Sequence, residues 1–185
     1  GPAQLSVTIN DQDATGGGAL SATANVALRV QPRITVADAA GVEGSVEGKV
    51  RFTVNLTVPY DQPVTVDYQT VPSSASSADF VAQNGTLTFA AGTTTQYVDV
   101  AISDDQTAEY TEGFLLVFSG ATNAVIATPT ANGLISDNDL DPTASVVSTE
   151  VSEAGGWATV TVRLSHSSEK GVNVHWYLSD GSAVT

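Results

Sequence analysis

The chain has 185 residues, with 20 acidic side chains against 6 basic ones and a formal net charge of −14. That balance excludes nucleic-acid binding, which needs Lys and Arg to displace counterions from phosphate, and a polybasic attachment to membrane surfaces. Cysteine and methionine are both absent, which excludes thiolate metal sites, disulfides and cysteine nucleophiles, and no apolar run approaches the 18 or so residues of a membrane-inserted helix.

Gly1-Pro2 reads as the scar of a cleaved expression tag. Residues 3–32 follow as a hairpin: Leu5-Ser6-Val7-Thr8-Ile9 alternates, Asp11 to Gly18 is loop, and Ala24 to Val30 alternates again. Residues 33–140 then form one complete domain. Ile34-Thr35-Val36 is a short strand. Val50, Phe52, Val54, Leu56 and Val58 alternate with polar residues, which predicts a strand with one face on a core. Val64, Val66 and Tyr68 repeat the pattern, as do Leu87 with Phe89, and Val98, Val100 and Ile102. Phe114 to Phe118 is a continuous apolar run, short enough for a strand at the core centre. Asn84-Gly85 and Ala91-Gly92 are turn signals. Strands at short, regular spacing read as an all-β sandwich or barrel, with no amphipathic helix.

Residues 141–185 repeat the opening of that domain at an offset of about 110 residues. Ser145-Val146-Val147 matches Ile34-Thr35-Val36, Val151-Ser152-Glu153 matches Val42-Glu43, and Ala158 to Leu164 matches the strand Val50 to Val58. Val172-Asn173-Val174-His175-Trp176 matches Val64-Thr65-Val66-Asp67-Tyr68. This second copy is expected to stop before most of its strands. It lacks the apolar surface to offset its chain entropy alone, and is expected to be poorly ordered or to pair with something.

The acidic residues are not spread evenly. Glu43 precedes a glycine and a strand; Asp104-Asp105, Glu109 and Glu112 lie between two apolar strands; Asp137-Asn138-Asp139 closes the domain; Asp79 precedes Phe80. Loops of a sandwich gather at its two ends, so these segments can meet at one pole. Two carboxylates about 5 Å apart repel by roughly 3 kcal/mol at an effective dielectric near 20. Residues 52–139 contain no Lys or Arg to offset this. Clustered hard oxygens suit Ca²⁺, which takes 6–8 of them in flexible geometry; loops that stay apart, each carboxylate facing water, are the competing outcome.

Several segments together resemble a Calx-β domain. They are Asp79-Phe80, Gly85 to Phe89, Ala91-Gly92, Val98 to Asp105, Glu109, Glu112-Gly113-Phe114 and Leu134 to Asp139, with Glu43-Gly44 and Val64 to Tyr68 in the expected order. Residues 142 to 185 resemble the start of a second copy, and the N-terminal hairpin resembles the end of a cadherin-like repeat. The resemblance implies an immunoglobulin-like antiparallel β-sandwich of about seven strands, here a tandem-repeat fragment, with calcium at the pole nearest the domain's C-terminus. Carried over by position, the ligands would be Glu43, Asp79, Asp104, Asp105, Glu109, Glu112, Asp137 and Asp139, with the Thr107 carbonyl as a further donor. Gln106 and Asn138 stand where a fuller acidic version has carboxylates, which implies fewer or weaker ions.

The expected role is a calcium-stiffened structural or adhesive repeat of a large extracellular or cell-surface protein, whose partners are calcium, neighbouring repeats of the same chain and a cell-surface glycan or protein. The alternatives are a glycan- or protein-binding module with incidental calcium, and a regulatory calcium sensor. No catalytic acid–base–nucleophile set can be assembled. His175 is expected to face outward on a strand, and Trp157 and Trp176 are expected in the core or at an edge of the second copy rather than in a sugar-stacking platform. Gly16-Gly17-Gly18 reads as flexible loop, and Asp11 and Asp13 as a solvated turn. Asn55-Leu56-Thr57 and Asn84-Gly85-Thr86 are formal glycosylation sequons.

Overall fold

The computed structural model describes residues 3–10, 21–28, 30–147, 149 and 153–179. The Asp11–Gly18 loop, with its glycines and both aspartates, lies outside them. Among the described residues, all regular structure is β apart from a single 3₁₀ turn at Glu153–Gly155. No described helix is long and apolar enough to cross a membrane.

The N-terminal strands β1 (Ala3–Asn10) and β2 (Ser21–Leu28) form the expected antiparallel hairpin, pairing Leu5 with Val26 and Val7 with Ala24. The central domain is a sandwich of two sheets. Its strands are β3 (Arg33–Val36), β4 (Ala39–Val42), β5 (Lys49–Leu56), β6 (Val64–Pro72), β7 (Asn84–Phe89), β8 (Thr95–Ala101), β9 (Glu112–Thr122), β10 (Val125–Ile126) and β11 (Thr130–Ser136). One sheet has the order β10-β3-β5-β8 and the other β4-β11-β9-β6-β7. The opening segment thus serves both layers. Its β3 half pairs antiparallel with β5, whereas β4 runs parallel to β11 in the facing sheet. Asp38 secures the crossing by accepting hydrogen bonds from the Asn132 backbone N–H (2.7 Å) and side-chain amide (3.2 Å).

Period-two alternation is realised where it was expected. Val50, Phe52, Val54 and Leu56 point inward from β5, and Val64 and Val66 from β6. In the apolar run of β9 the alternation persists: Phe114, Leu116 and Phe118 are buried, while Leu115 and Val117 are half-buried. The centre of the core is aromatic. Phe114 stacks on Phe80 with centroids 4.4 Å apart and meets Phe52 edge-on at 5.9 Å, both favourable quadrupole arrangements. Gly133, paired with Phe114 across β9 and β11, leaves room for the ring; a Cβ there would lie 2.5 Å from Phe114 Cζ.

The structure corrects several local expectations. Asn84-Gly85 is not a turn but the start of β7, paired with Gln69 and Tyr68. Its glycine serves packing, since a Cβ would press on the Tyr68 ring at 3.2–3.3 Å. Ala91-Gly92 does form a turn, with Gly92 at φ 82°. Val58 falls beyond β5 and is exposed. In the second copy, β12 (Ala144–Val147) pairs with β13, which covers only Thr161–Leu164. Residues 172–176 form no strand, so His175 is exposed without one. Trp157 and Trp176 are 90% and 79% exposed rather than buried, because no second sheet closes over them among the described residues.

Gly133→Ala should force Phe114 off its stack and cost about 1–3 kcal/mol, the usual penalty for overpacking a filled core. Urea unfolding followed by fluorescence would show it as a lowered midpoint at unchanged slope.

Candidate metal centre

The topology delivers the acidic segments to one end of the sandwich. The turn after β4, the β6–β7 and β8–β9 connections, and the segment after β11 all emerge there. Backbone hydrogen bonds lock them together. Glu43 N–H donates to Ser136 O at 3.0 Å, which extends the β4–β11 ladder and sets Glu43 beside Asp137. Ser103 N–H donates to Asp79 O at 2.9 Å, tying the β6–β7 connection to the loop that carries Asp104 and Asp105. Phe80 bridges to Ile102 and Phe114 follows Glu112 by two residues, so the aromatic core fixes the backbone under Asp79 and Glu112.

Glu43, Asp137 and Asp139 each present a carboxylate oxygen within 4.8 Å of the others. Glu43 is only 4% exposed. Its Oε2 and the Oδ2 of Asp139 are buried without any hydrogen-bond partner. A second group adjoins this trio: Asp79 and Glu109, each 8% exposed, with Glu112 hydrogen-bonded to Asp79. Asp105 acts electrostatically on both Glu43 and Glu109 and so links the groups, and Asp104 adds its charge at Glu43. Of the eight carboxylates expected from the sequence, Glu43, Asp137 and Asp139 come within ligand distance of one another, and Asp79, Asp104, Asp105, Glu109 and Glu112 lie around them. Thr107 lies beside Asp105 on the same loop. Its N–H donates to Asp105 Oδ1 at 2.6 Å and its hydroxyl meets Ser167 Oγ at 2.8 Å.

Protonation follows this crowding. Burial, followed by the charges of Asp105, Asp137, Asp79 and Asp104, pushes Glu43 up to about 7. Burial followed by the charges of Asp79, Asp105 and Glu43 does the same to Glu109, also to about 7. Burial and then the hydrogen bond with Asp79 raise Glu112 to about 7. Asp137 goes the other way. Burial opposes its charge, but N–H groups of Asp139 and Glu109, each 2.7 Å away, and the Lys170 ammonium hold it below the usual range.

Three features test whether a hard cation fits. The donor set is wholly carboxylate oxygen, with no sulfur or imidazole in it. Two buried oxygens lack partners, a costly state that a cation would relieve. Gly44, at φ 58°, brings bare backbone to the rim; a Cβ there would overlap the Asn138 amide and come within 2.9 Å of Asp104 Oδ1. Oxygen donors in this number, drawn from several loops, suit Ca²⁺ better than the strict octahedron of Mg²⁺.

Sequence reasoning missed four contributors. Gly44 carried a signal, since a glycine after Glu43 can mark positive φ. Asn138 lies against Gly44 rather than merely diluting the acidic triplet. Glu169 and Lys170 come from the second copy, and nothing in their local sequence ties them to this pole. Lys170 Nζ lies 3.5 Å from Asp137 Oδ2 and 3.0 Å from Asp141 Oδ1.

A search of curated protein sequences returned no significant match. Among solved structures, the chain resembles the apo-form Calx CBD1 domain, with a TM-score of 0.54 and 23% identity over 60% of this chain and 100% of that one. It also resembles the calcium-binding domain pair CBD12 of CALX1.1, with a TM-score of 0.54 and 21% identity over 63% of this chain and 50% of that one. CBD12 from CALX1.2 gives a TM-score of 0.52 and 24% identity over 58% of this chain and 46% of that one. The chain thus spans about half of each two-domain structure, and at these identities the likeness carries the fold, an immunoglobulin-like sandwich. The Calx-beta domain profile matches residues 31–139 and again 141–185, and the chain belongs to the Calx-beta domain family.

Proposed function

We propose that the acidic pole binds Ca²⁺ and that the bound ion stiffens the junction between the domain at 33–140 and the repeat that follows it. Buried Glu43 carries the reading: one of its oxygens has no partner, and it faces Asp137 and Asp139 within ligand distance. Glu43, Asp137 and Asp139 would hold one ion, and Asp79, Asp105, Glu109 and Glu112 supply donors beside it. Asp104 sits at the exposed rim. Calcium would supply the positive charge that residues 52–139 lack. Asp137 and Asp139 open the 137–142 linker, so neutralising them removes the repulsion that would splay it. The role is that of a structural or adhesive repeat, a binding rather than a catalytic function.

An extracellular or cell-surface setting agrees with this donor set. Gln106 and Asn138 lower its charge, and lean sites match the roughly 10⁻⁴–10⁻³ M affinities of extracellular calcium modules. The solved calcium-binding domain CBD12 of CALX1.1 shares the fold, which supports calcium as the ion. A second reading rests on the exposed Trp157, Trp176 and Tyr177 of the second copy, which offer stacking faces to a glycan or an apolar face to a protein. A glycan array probed with and without chelator separates that role from the calcium-dependent one.

In calorimetric titration the chain should bind calcium, and calcium should raise its Tm. Asp104→Ala combined with Asp105→Ala should weaken binding and shrink the Tm gain, with the calcium-free fold intact. A wild-type chain that folds but shows neither heat nor a Tm change would overturn the reading.

The pH dependence provides a separate check. In calcium-free protein the folded-state values of Glu43, Glu109 and Glu112 lie near 7, above the ordinary 4.5. The folded state then holds more protons than the unfolded chain across that interval, and stability falls as pH rises through it. The calcium-free Tm should therefore drop between about pH 5 and 7.5, whereas saturating calcium should flatten or reverse the slope.

A further inference from the structure

Among the described residues, the second copy touches the metal pole through one segment, and its register is defined. Ala108 and Ser168 form a parallel bridge. Ala108 N–H donates to Ser167 O at 3.2 Å, and Glu169 N–H donates to Ala108 O at 3.0 Å. In a parallel pair, side chains at matching positions lie on the same face, and the face alternates with period two. The position before the bridge obeys this rule, since the Thr107 and Ser167 hydroxyls meet at 2.8 Å. Two residues further along both segments, the same face carries Glu109 and Glu169.

Those two carboxylates are therefore neighbours, one buried and one exposed at the rim. The charge of Glu169 is also felt at Glu112. No described Lys or Arg pairs with Glu169; the adjacent Lys170 reaches instead to Asp137 and Asp141. Like charges side by side on paired segments are destabilising, and here the clash falls where two domains meet. The cluster behind them already contains a buried carboxylate oxygen with no partner, Glu43 Oε2, in electrostatic contact with Glu109.

The geometry points to Glu169 as a ligand contributed by the second repeat, sharing a calcium-sized divalent cation with Glu109 at the junction. This rests on the calcium reading of the pole and extends it: the ion becomes a direct bridge between repeats. Lys170, on the opposite face of the same segment, secures the linker side through Asp137 and Asp141. The backbone bonds at Ala108 hold the two residues in register on neighbouring segments.

The test uses the full chain, stripped with chelator and titrated with CaCl₂, as wild type, Glu169→Gln and Glu169→Asp. Glu169 is exposed, so neither variant should disturb folding. Glu169→Gln should weaken binding of one ion by a factor of about 3–10, through loss of one donor charge in a partly screened site. Glu169→Asp keeps the charge but shortens the arm, and should also weaken binding. Hydrogen exchange supplies the second readout. Calcium should increase protection of the Ala108 and Glu169 amides in wild type and not in Glu169→Gln.

Wild type that binds no calcium would overturn this proposal and the calcium reading together. Wild type that binds, with Glu169→Gln giving the same isotherm and the same protection, would overturn this proposal alone. Weakened Glu169→Gln beside an unchanged Glu169→Asp would also overturn it, because charge without reach would then suffice.

Discussion

Repulsion among carboxylates held at one end of a rigid sandwich is the constraint on which the rest of this molecule turns. Each acidic loop on its own would be an ordinary solvated surface. The sheets do not allow that separation, because β4, β9 and β11 are hydrogen-bonded neighbours whose ends emerge together. Burial then removes the water that would have screened the charges. Protons or a cation must compensate, and burial with neighbouring charge raises the proton affinities of Glu43, Glu109 and Glu112 accordingly.

The hydrophobic core and the metal pole are mechanically one object. Phe80 is the residue after Asp79, and it stacks on Phe114, two residues after Glu112. Fully buried Ala108 immediately precedes Glu109. Packing therefore fixes the backbone beneath three of the carboxylates, and they cannot relax apart to relieve their charge. Asp104 and Asp105 lie on the exposed part of the loop. A buried floor with an exposed rim suits the irregular coordination that calcium accepts.

The boundary between repeats has a similar logic. One short segment, Ser167 to Lys170, forms the described contact of the second copy with the β8–β9 loop, and it meets that loop where the acidic residues lie. Events at the pole and the seating of the next repeat therefore act on the same few residues. Lys170 and Glu169 bring opposite charges to that seat, one toward the linker carboxylates and one toward Glu109.

The sequence by itself determined the strand faces and where the acidic residues fall along the chain. Inward positions of β5, β6 and β9 follow from period-two alternation, a property of each strand alone, whereas spacing left open whether the acidic segments meet, and the set Glu43, Asp79, Asp104 to Glu112 and Asp137 to Asp139 came from the resemblance to the Calx-β family. Tertiary structure decided what depends on partners far along the chain. The short strands β4, whose Ala39-Ala40-Gly41-Val42 carries no polar–apolar alternation, and β10, only two residues long, take their place through parallel pairing with β11 and β3. Asn84-Gly85 carries a turn signature, yet Tyr68 across the sheet holds it in a strand. The Ala108–Ser168 bridge joins residues 60 apart, a distance over which local pattern carries no information. Which carboxylate oxygens end up buried without partners is likewise a matter of packing, because it depends on how closely four separate loops approach one another.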